Sequence, residues 1–219
     1  MHKIKKYSYC IYFFIIIVFY GCSNVHNKSF ILLNEAFLDW YFKYNSIVCL
    51  NYNSTFESKN YKLNRKFIDE YSNDIKRFLI ELDQIDYTRL NKDNQINYDL
   101  IVGKLRELDF SYNLVKFYEF DVSYYLETVF EMLFSIIYNN NIAMNSKVKM
   151  VIDLLSNNEV IIEDAYENIN YFSDNALKKS NLIYSDILDL LNQIPLELNT
   201  SNKNHEIIDN LIINNKRKL

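Results

Sequence analysis

The sequence predicts an all-α protein, a single irregular bundle of six or seven helices, and three observations carry that prediction. Glycine and proline are nearly absent: two of the first, Gly21 and Gly103, and one of the second, Pro195. Hairpins and βα turns draw on residues that tolerate positive φ, glycine above all, so a sheet-rich chain of this composition would lack its turns. Apolar residues recur at steps of three and four, the period of a helix face rather than of a strand. Hydrophobic residues make up 49% of the 219, against 24% charged of mixed sign. That is enough apolar surface to close a core, and not the composition of a disordered chain.

The elements follow in order. Lys3, Lys5 and Lys6 precede an apolar stretch from Cys10 to Tyr20, a positive region and hydrophobic core of signal-peptide length, too short for a comfortable membrane span. Gly21-Cys22 and the polar Ser23-Asn24 come next. A small residue before a cysteine at this point looks like a bacterial lipobox, with Phe19 and Tyr20 departing from its usual residues. The expectation is a signal over 1–21, lipidation of Cys22, a tether over 22–29, and export to the cell envelope with the membrane as partner. An uncleaved anchor, or secretion with Cys22 incidental, are the other readings. Cys49 is then the one remaining thiol, and its apolar surroundings predict a buried, inert one.

A helical domain is expected over 30–195. Phe30, Leu33, Phe37, Tyr41, Tyr44 and Val48 define a first stripe, and Asn51 to Lys59 a loop. Phe67, Tyr71, Ile75, Phe78 and Leu82 give a second helix. Leu90 to Tyr138 organises the rest. Asn91 stands at an N-cap position with Asp93 in the first turn, followed by the stripe Tyr98, Ile101, Leu105, Leu108, Tyr112 and Val115. A bend near Glu119-Phe120-Asp121 leads to Leu126, Val129, Phe130, Leu133 and Ile137. A fifth helix carries Val148, Val151, Leu155, Ile162, Ala165 and Ile169, with an interruption at Asn157-Asn158. A sixth carries Ala176, Ser180, Ile183, Ile187 and Leu190 and is expected to stop before Pro195. Residues 196–219 read as a polar tail or one short helix around Ile207, Ile208, Leu211 and Ile212.

Reactive groups are scarce. The net charge of −4 argues against nucleic acid as a partner. Of three histidines, His2 leaves with the signal, His26 falls in the tether, and His205 reads as a solvated residue. One histidine and no cysteine pair build no zinc site, and no glycine-rich phosphate loop or nucleophile elbow is present. No catalytic residue, metal or cofactor is therefore assigned. The acidic pairs Glu119/Asp121, Glu127/Glu131 and Glu163/Glu167 are the candidates for two-carboxylate chemistry; the last two, four residues apart on helices, read as solvated faces, because nothing in the sequence marks either as desolvated. The 19 tyrosines stand out, with Tyr112, Tyr118, Tyr124 and Tyr125 around the bend; core positions and a ligand-binding face are the two readings.

The block Leu90 to Ile101, LNKDNQINYDLI, resembles the Leu-Ser-x-x-Asp-x-x-x-Tyr-Asp/Glu-x-Leu segment of the bacterial domain-of-unknown-function 885 family, with Tyr98-Asp99 at its tyrosine-acid pair. Asp121 to Leu126 looks like that family's Asp-Pro-x-x-Tyr-Leu element, with Val122 for the proline. Ile80 to Asp86 matches its Leu-x-x-Ile-Asp helix end, and Ala165 to Ile169 its Ala-x-x-Asn-Leu end. The early Asn-Pro element is met only by Asn45-Ser46. The resemblance covers about residues 30 to 195. It implies an exported or lipid-anchored helical protein of a metallopeptidase-like family. The family's His-Glu and Pro-Gly-His blocks have no counterpart here, so no ligand is carried over. What it implies is a non-catalytic N-terminal portion, from a truncated or split frame or as a lone binding domain, with any metal site on a second chain and a peptide as substrate. The alternative is a surface lipoprotein that binds a host or envelope ligand through a tyrosine-rich helical face.

Overall fold

The computed structural model describes residues 26–45, 63–198 and 202–218. Among them there is no strand, and seven α-helices follow one another. They are α1 (residues 26–44), α2 (Arg65–Asp83), α3 (Lys92–Asp109), α4 (Val122–Tyr138), α5 (Met144–Asn168), α6 (Asp174–Glu197) and α7 (Asn202–Lys218). The all-α bundle predicted by the stripes is the fold. The signal segment, Cys22, Cys49 and the loop over 51–59 lie outside the described residues. By proximity the chain divides into two compact units, one of residues up to Tyr41 with Asn73–Asp109, the other of Phe42–Ser72 with Phe110–Leu219.

In the first unit the α1 stripe Phe30, Leu33, Phe37 and Trp40 is buried, as are Ile75, Phe78 and Leu82 of α2 and Ile101, Leu105 and Leu108 of α3. Phe78 is the meeting point, its ring edge-on to Phe37 at 5.8 Å and 5.2 Å from Trp40. The Trp40 indole also donates to Asp74 Oδ2 at 3.0 Å, so the large ring is buried without orphaning its N–H. Asn91 caps α3 as expected, accepting from the Asn94 amide at 2.8 Å. The first turn of α1 reaches the same place: Asn27 Oδ1 accepts from the Asn91 amide at 3.0 Å and from Asn94 Nδ2 at 2.9 Å. Residues 26–29, assigned to the tether by sequence, are thus helical and brace the start of α3.

The second unit is built around α4. Tyr125, Val129, Met132, Leu133, Ile136 and Ile137 are buried along it, and it packs against both α5 and α6, with α7 closing on α5 and α6. The entry to α4 is a sharp corner. A π-helical turn, Phe110–Val115, is followed by Lys116 at φ 54°, a short 3-10 turn Phe117–Glu119, and Asp121 as N-cap. Asp121 Oδ1 accepts from the Ser123 amide at 3.0 Å, which fixes where α4 begins. At the other end of α4, buried Lys147 donates to the Ile137 carbonyl, placing a cation where the helix leaves carbonyls unpaired.

Two expectations are corrected. Asn157-Asn158 does not interrupt the fifth helix: α5 runs unbroken from Met144 to Asn168. Asn158 instead points into the core, donating to Asn215 Oδ1 of α7 at 3.1 Å, while Asn215 donates to the Leu155 carbonyl at 2.9 Å. Nor does α6 stop before Pro195; it continues to Glu197. Proline in the last turn loses only the bond to one carbonyl four residues back, and the Leu198 amide still reaches the Ile194 carbonyl at 3.0 Å.

Candidate functional site

Beyond Asn158 the α5 helix uses two faces. Ile161, Asp164 and Asn168 turn inward, and the two polar members of that set grip one residue. Asp164 Oδ2 accepts from the Leu63 amide at 2.6 Å, and Asn168 Nδ2 donates to the Leu63 carbonyl at 2.6 Å. A helix cannot offer a neighbouring segment its own backbone groups, which are already satisfied. Here a carboxylate and an amide one turn apart act in their place, holding the chain just ahead of α2 against α5.

An adjoining face of α5, which shares Ile161 with the first, borders an apolar cleft of about 280 Å³. Val122, Tyr125, Leu126 and Val129 of α4 form one wall; Ile161, Ile162, Ala165 and Ile169 form the other, and Tyr166 and Phe172 complete the lining. These last two are 83% and 63% exposed, which puts them at the rim. Ala165 is the one small side chain in the lining, so it opens the space between its larger neighbours. Among the described residues no charged side chain lines the cleft. The Tyr125 hydroxyl is engaged elsewhere, donating to the Tyr118 carbonyl at 2.9 Å, and burial pushes its pKa well above the usual tyrosine value. Ile162, Ala165 and Ile169, on the apolar face expected of the fifth helix, line this concave surface, and Ala165 and Ile169 also pack against the core.

The tyrosines around the bend gather inside the unit. Tyr112 and Tyr124 meet hydroxyl to hydroxyl at 3.0 Å, Phe117 stands edge-on to both at 5.0 and 4.5 Å, and Tyr71 packs on Tyr112 at 4.9 Å. Tyr118 and Tyr125 are buried. Burial raises the Tyr112 pKa, with the Tyr124 hydroxyl acting the other way. Exposed aromatics include Tyr166, Tyr171 and Phe172, together with Tyr87, Phe110, Phe134 and Tyr138, and Tyr171 is stacked on Phe120 at 5.4 Å.

The candidate acids are accounted for by structure. Glu119 pairs with Arg65 at 3.0 Å, Asp121 is the α4 cap, and Glu127 pairs with Lys179 at 2.7 Å. Desolvation, then the neighbouring Glu127, raises the Glu131 pKa against the pull of Lys179. Glu163 and Glu167 are exposed. Among the described residues the buried carboxylate is the one between them, Asp164, to which the sequence reading gave no role. Its signal was there: Asp164 and Asn168 are polar residues four apart, one helical turn, on the side of the buried Ile161. His205 Nδ1 lies 3.2 Å from Asp209 Oδ2 on α7. Among the described residues no group of three or more His, Cys, Asp or Glu is placed to hold a metal ion, and no helix is long and apolar enough to cross a membrane.

No family model and no curated protein matches the sequence, so the resemblance to the domain-of-unknown-function 885 family has no support from a family model. The fold is similar to that of a solved protein from Shewanella oneidensis described as "a putative lipoprotein of unknown function". The TM-score is 0.67 at 17% identity, over 86% of this chain and 35% of that one. At that identity the shared property is the fold, and the chain spans about a third of the length of the Shewanella protein.

Proposed function

We propose that this chain is a lipoprotein of the bacterial cell envelope, anchored through Cys22, whose helical part binds rather than hydrolyses. The observation that carries the reading is the common fold with a protein described as a lipoprotein. The Gly21-Cys22 step after a signal-like apolar core supports it from the sequence. In this reading 1–21 is the signal and the helices form the non-catalytic portion of a metallopeptidase-like protein, as the Leu90–Ile101 and Asp121–Leu126 blocks suggest. Any metal site would then come from a second chain.

The test is metabolic labelling with an alkyne-bearing palmitate, followed by membrane fractionation. The wild-type chain is expected to incorporate label and sediment with membranes, and Cys22→Ser to lose both. A wild-type chain that takes up no label, or a variant that incorporates as much as wild type, defeats the anchoring.

A second reading is a lipoprotein that binds a ligand through an aromatic face. Its support is the exposed set Tyr166, Tyr171 and Phe172, two of which stand at the rim of the cleft. The face differs from the one the sequence suggested, because Tyr112, Tyr118, Tyr124 and Tyr125 serve the interior.

A further inference from the structure

We infer that one end of the first unit, made by the starts of α1 and α3 and the turn from Asp86 to Asn91, is held in the headgroup layer of the bilayer, so that the partner of this surface is phospholipid. The inference rests on the first reading, with Cys22 as the lipidated residue. It adds how near the folded body stands to that anchor.

The sequence suggested a tether over 22–29, but residues 26–29 belong to α1. Asn27 ties that first turn to the neighbouring chain. Its Oδ1 accepts from the Asn91 amide and from Asn94 Nδ2, and its Nδ2 donates to the Arg89 carbonyl at 3.3 Å. One turn further on, Phe30 is fully buried and its ring lies 6.0 Å from that of Tyr98. The turn cannot peel away to serve as slack without breaking these bonds and baring an aromatic ring.

Three residues, Ser23, Asn24 and Val25, therefore stand between Cys22 and α1. However they run, the steps from Cys22 to His26 cover at most about 14 Å, at about 3.6 Å per residue. The headgroup region of one leaflet is roughly 5–8 Å thick, and acyl chains in the hydrocarbon hold Cys22 at its inner edge. What remains, roughly 6–9 Å, is less than the diameter of one helix, about 10–12 Å. The start of α1 cannot stand a helix's width clear of the lipid. The residues there suit that neighbour. Lys28, Arg89 and Lys92 are exposed, against Asp86, which pairs with Arg89 at 3.0 Å, and Asp93. Cations thus outnumber carboxylates at this end of a chain whose net charge is −4, and an anionic lipid surface is not repelled. Tyr87, also exposed, presents its ring while its hydroxyl donates to Asp99 at 3.1 Å, an amphipathic side chain of the kind found at membrane interfaces.

The experiment uses the full-length lipidated protein, with Cys49→Ser, in vesicles of phosphatidylethanolamine and phosphatidylglycerol that carry a headgroup nitroxide lipid. A bimane is attached at Thr88→Cys, at Lys92→Cys or at the control Arg106→Cys, which lies about 21 Å further along α3 than Lys92 at 1.5 Å per residue. The first two are expected to lose most of their emission to the nitroxide and the control to keep most of its own, in high salt as in low. Twelve Gly/Ser residues inserted between Val25 and His26 give a link of average span about 20–24 Å, and are expected to restore most of the lost emission. Equal quenching at all three positions, none at Thr88 and Lys92 in a chain labelled at Cys22 by palmitate, or quenching that the insertion leaves unchanged overturns the inference. A chain that takes up no palmitate fails at the anchor itself, so the two failures give different results.

Discussion

The grip of Asp164 and Asn168 on Leu63 gives a stability prediction whose size can be worked from the bonds themselves. Asp164→Ala removes the acceptor of a buried 2.6 Å bond and leaves the Leu63 N–H in the interior beside a small void. A hydrogen bond to a carboxylate contributes about 1.5–3 kcal/mol, and a buried donor left without a partner costs about 1–3 kcal/mol; the two describe the same loss, so about 2–3 kcal/mol is expected. For a chain of this size that is a fall of roughly 4–12 °C in Tm. Asn168→Ala is expected to cost less, about 1–2 kcal/mol, because it removes a neutral donor. The two should not add. Once one half of the grip is gone Leu63 is free to turn toward water, so the double variant is expected to fall short of the sum by about 1 kcal/mol. Urea denaturation of wild type, both single variants and the double variant measures all three quantities. Asp164→Asn, which keeps an oxygen of the same shape, separates charge from hydrogen bonding. Glu163→Ala, one residue away but exposed, is the control and should stay within about 0.5 kcal/mol of wild type. An Asp164→Ala protein as stable as that control would refute the reasoning.

Two further predictions concern backbone and pH. Gly103 sits in the interior of α3 with nothing within 4 Å of an added Cβ and a φ outside the left-handed region, so Gly103→Ala should raise stability by about 1 kcal/mol; no change or a loss in a urea melt would contradict the open surroundings. Burial raises the pKa of Tyr112, Tyr118 and Tyr125. The unfolded chain therefore ionises these tyrosines first, near the usual value of about 10, and binds fewer protons than the folded one above it. Their contribution is complete below that pH and is lost as pH rises toward the folded values, at up to about 1.4 kcal/mol per pH unit for each tyrosine. Unfolding midpoints measured from pH 8 upward should be level and then fall, Tyr125→Phe should soften the fall, and a flat profile through pH 11 would count against the buried hydroxyls.

The sequence revealed whatever depends on near neighbours. Stripes at steps of three and four located the helices, and Asn91 and Asp121 stand where a cap and a bend were expected, because a helix start is decided by side chains two or three residues from the amides they satisfy. What stayed hidden depends on partners far along the chain. Asn158 read as a break because asparagine is a poor helix former, whereas its partner, Asn215, lies 57 residues later. Asp164 was given no role for the same reason, with Leu63 standing 101 residues before it. The cleft was hidden differently: Ile162, Ala165 and Ile169 have the spacing of a core stripe, and periodicity does not report whether a neighbouring helix closes over them. Pro195 misled because the rule that proline ends a helix weakens in the last turn.

The Asn158–Asn215 pair has a consequence for how α7 finds its place. Ile208, Leu211 and Ile212 would adhere to α5 and α6 almost as well if the helix slid by one turn, since contact between hydrocarbons is indifferent to small displacements along a seam. An amide is not indifferent. Moved by a turn, about 5.4 Å, Asn215 would leave Asn158 facing a leucine side chain and forfeit its own bond to the Leu155 carbonyl. The apolar residues make the helix stick, and one asparagine tells it where to stop, like the single notch that lets a sliding bolt come to rest in only one position.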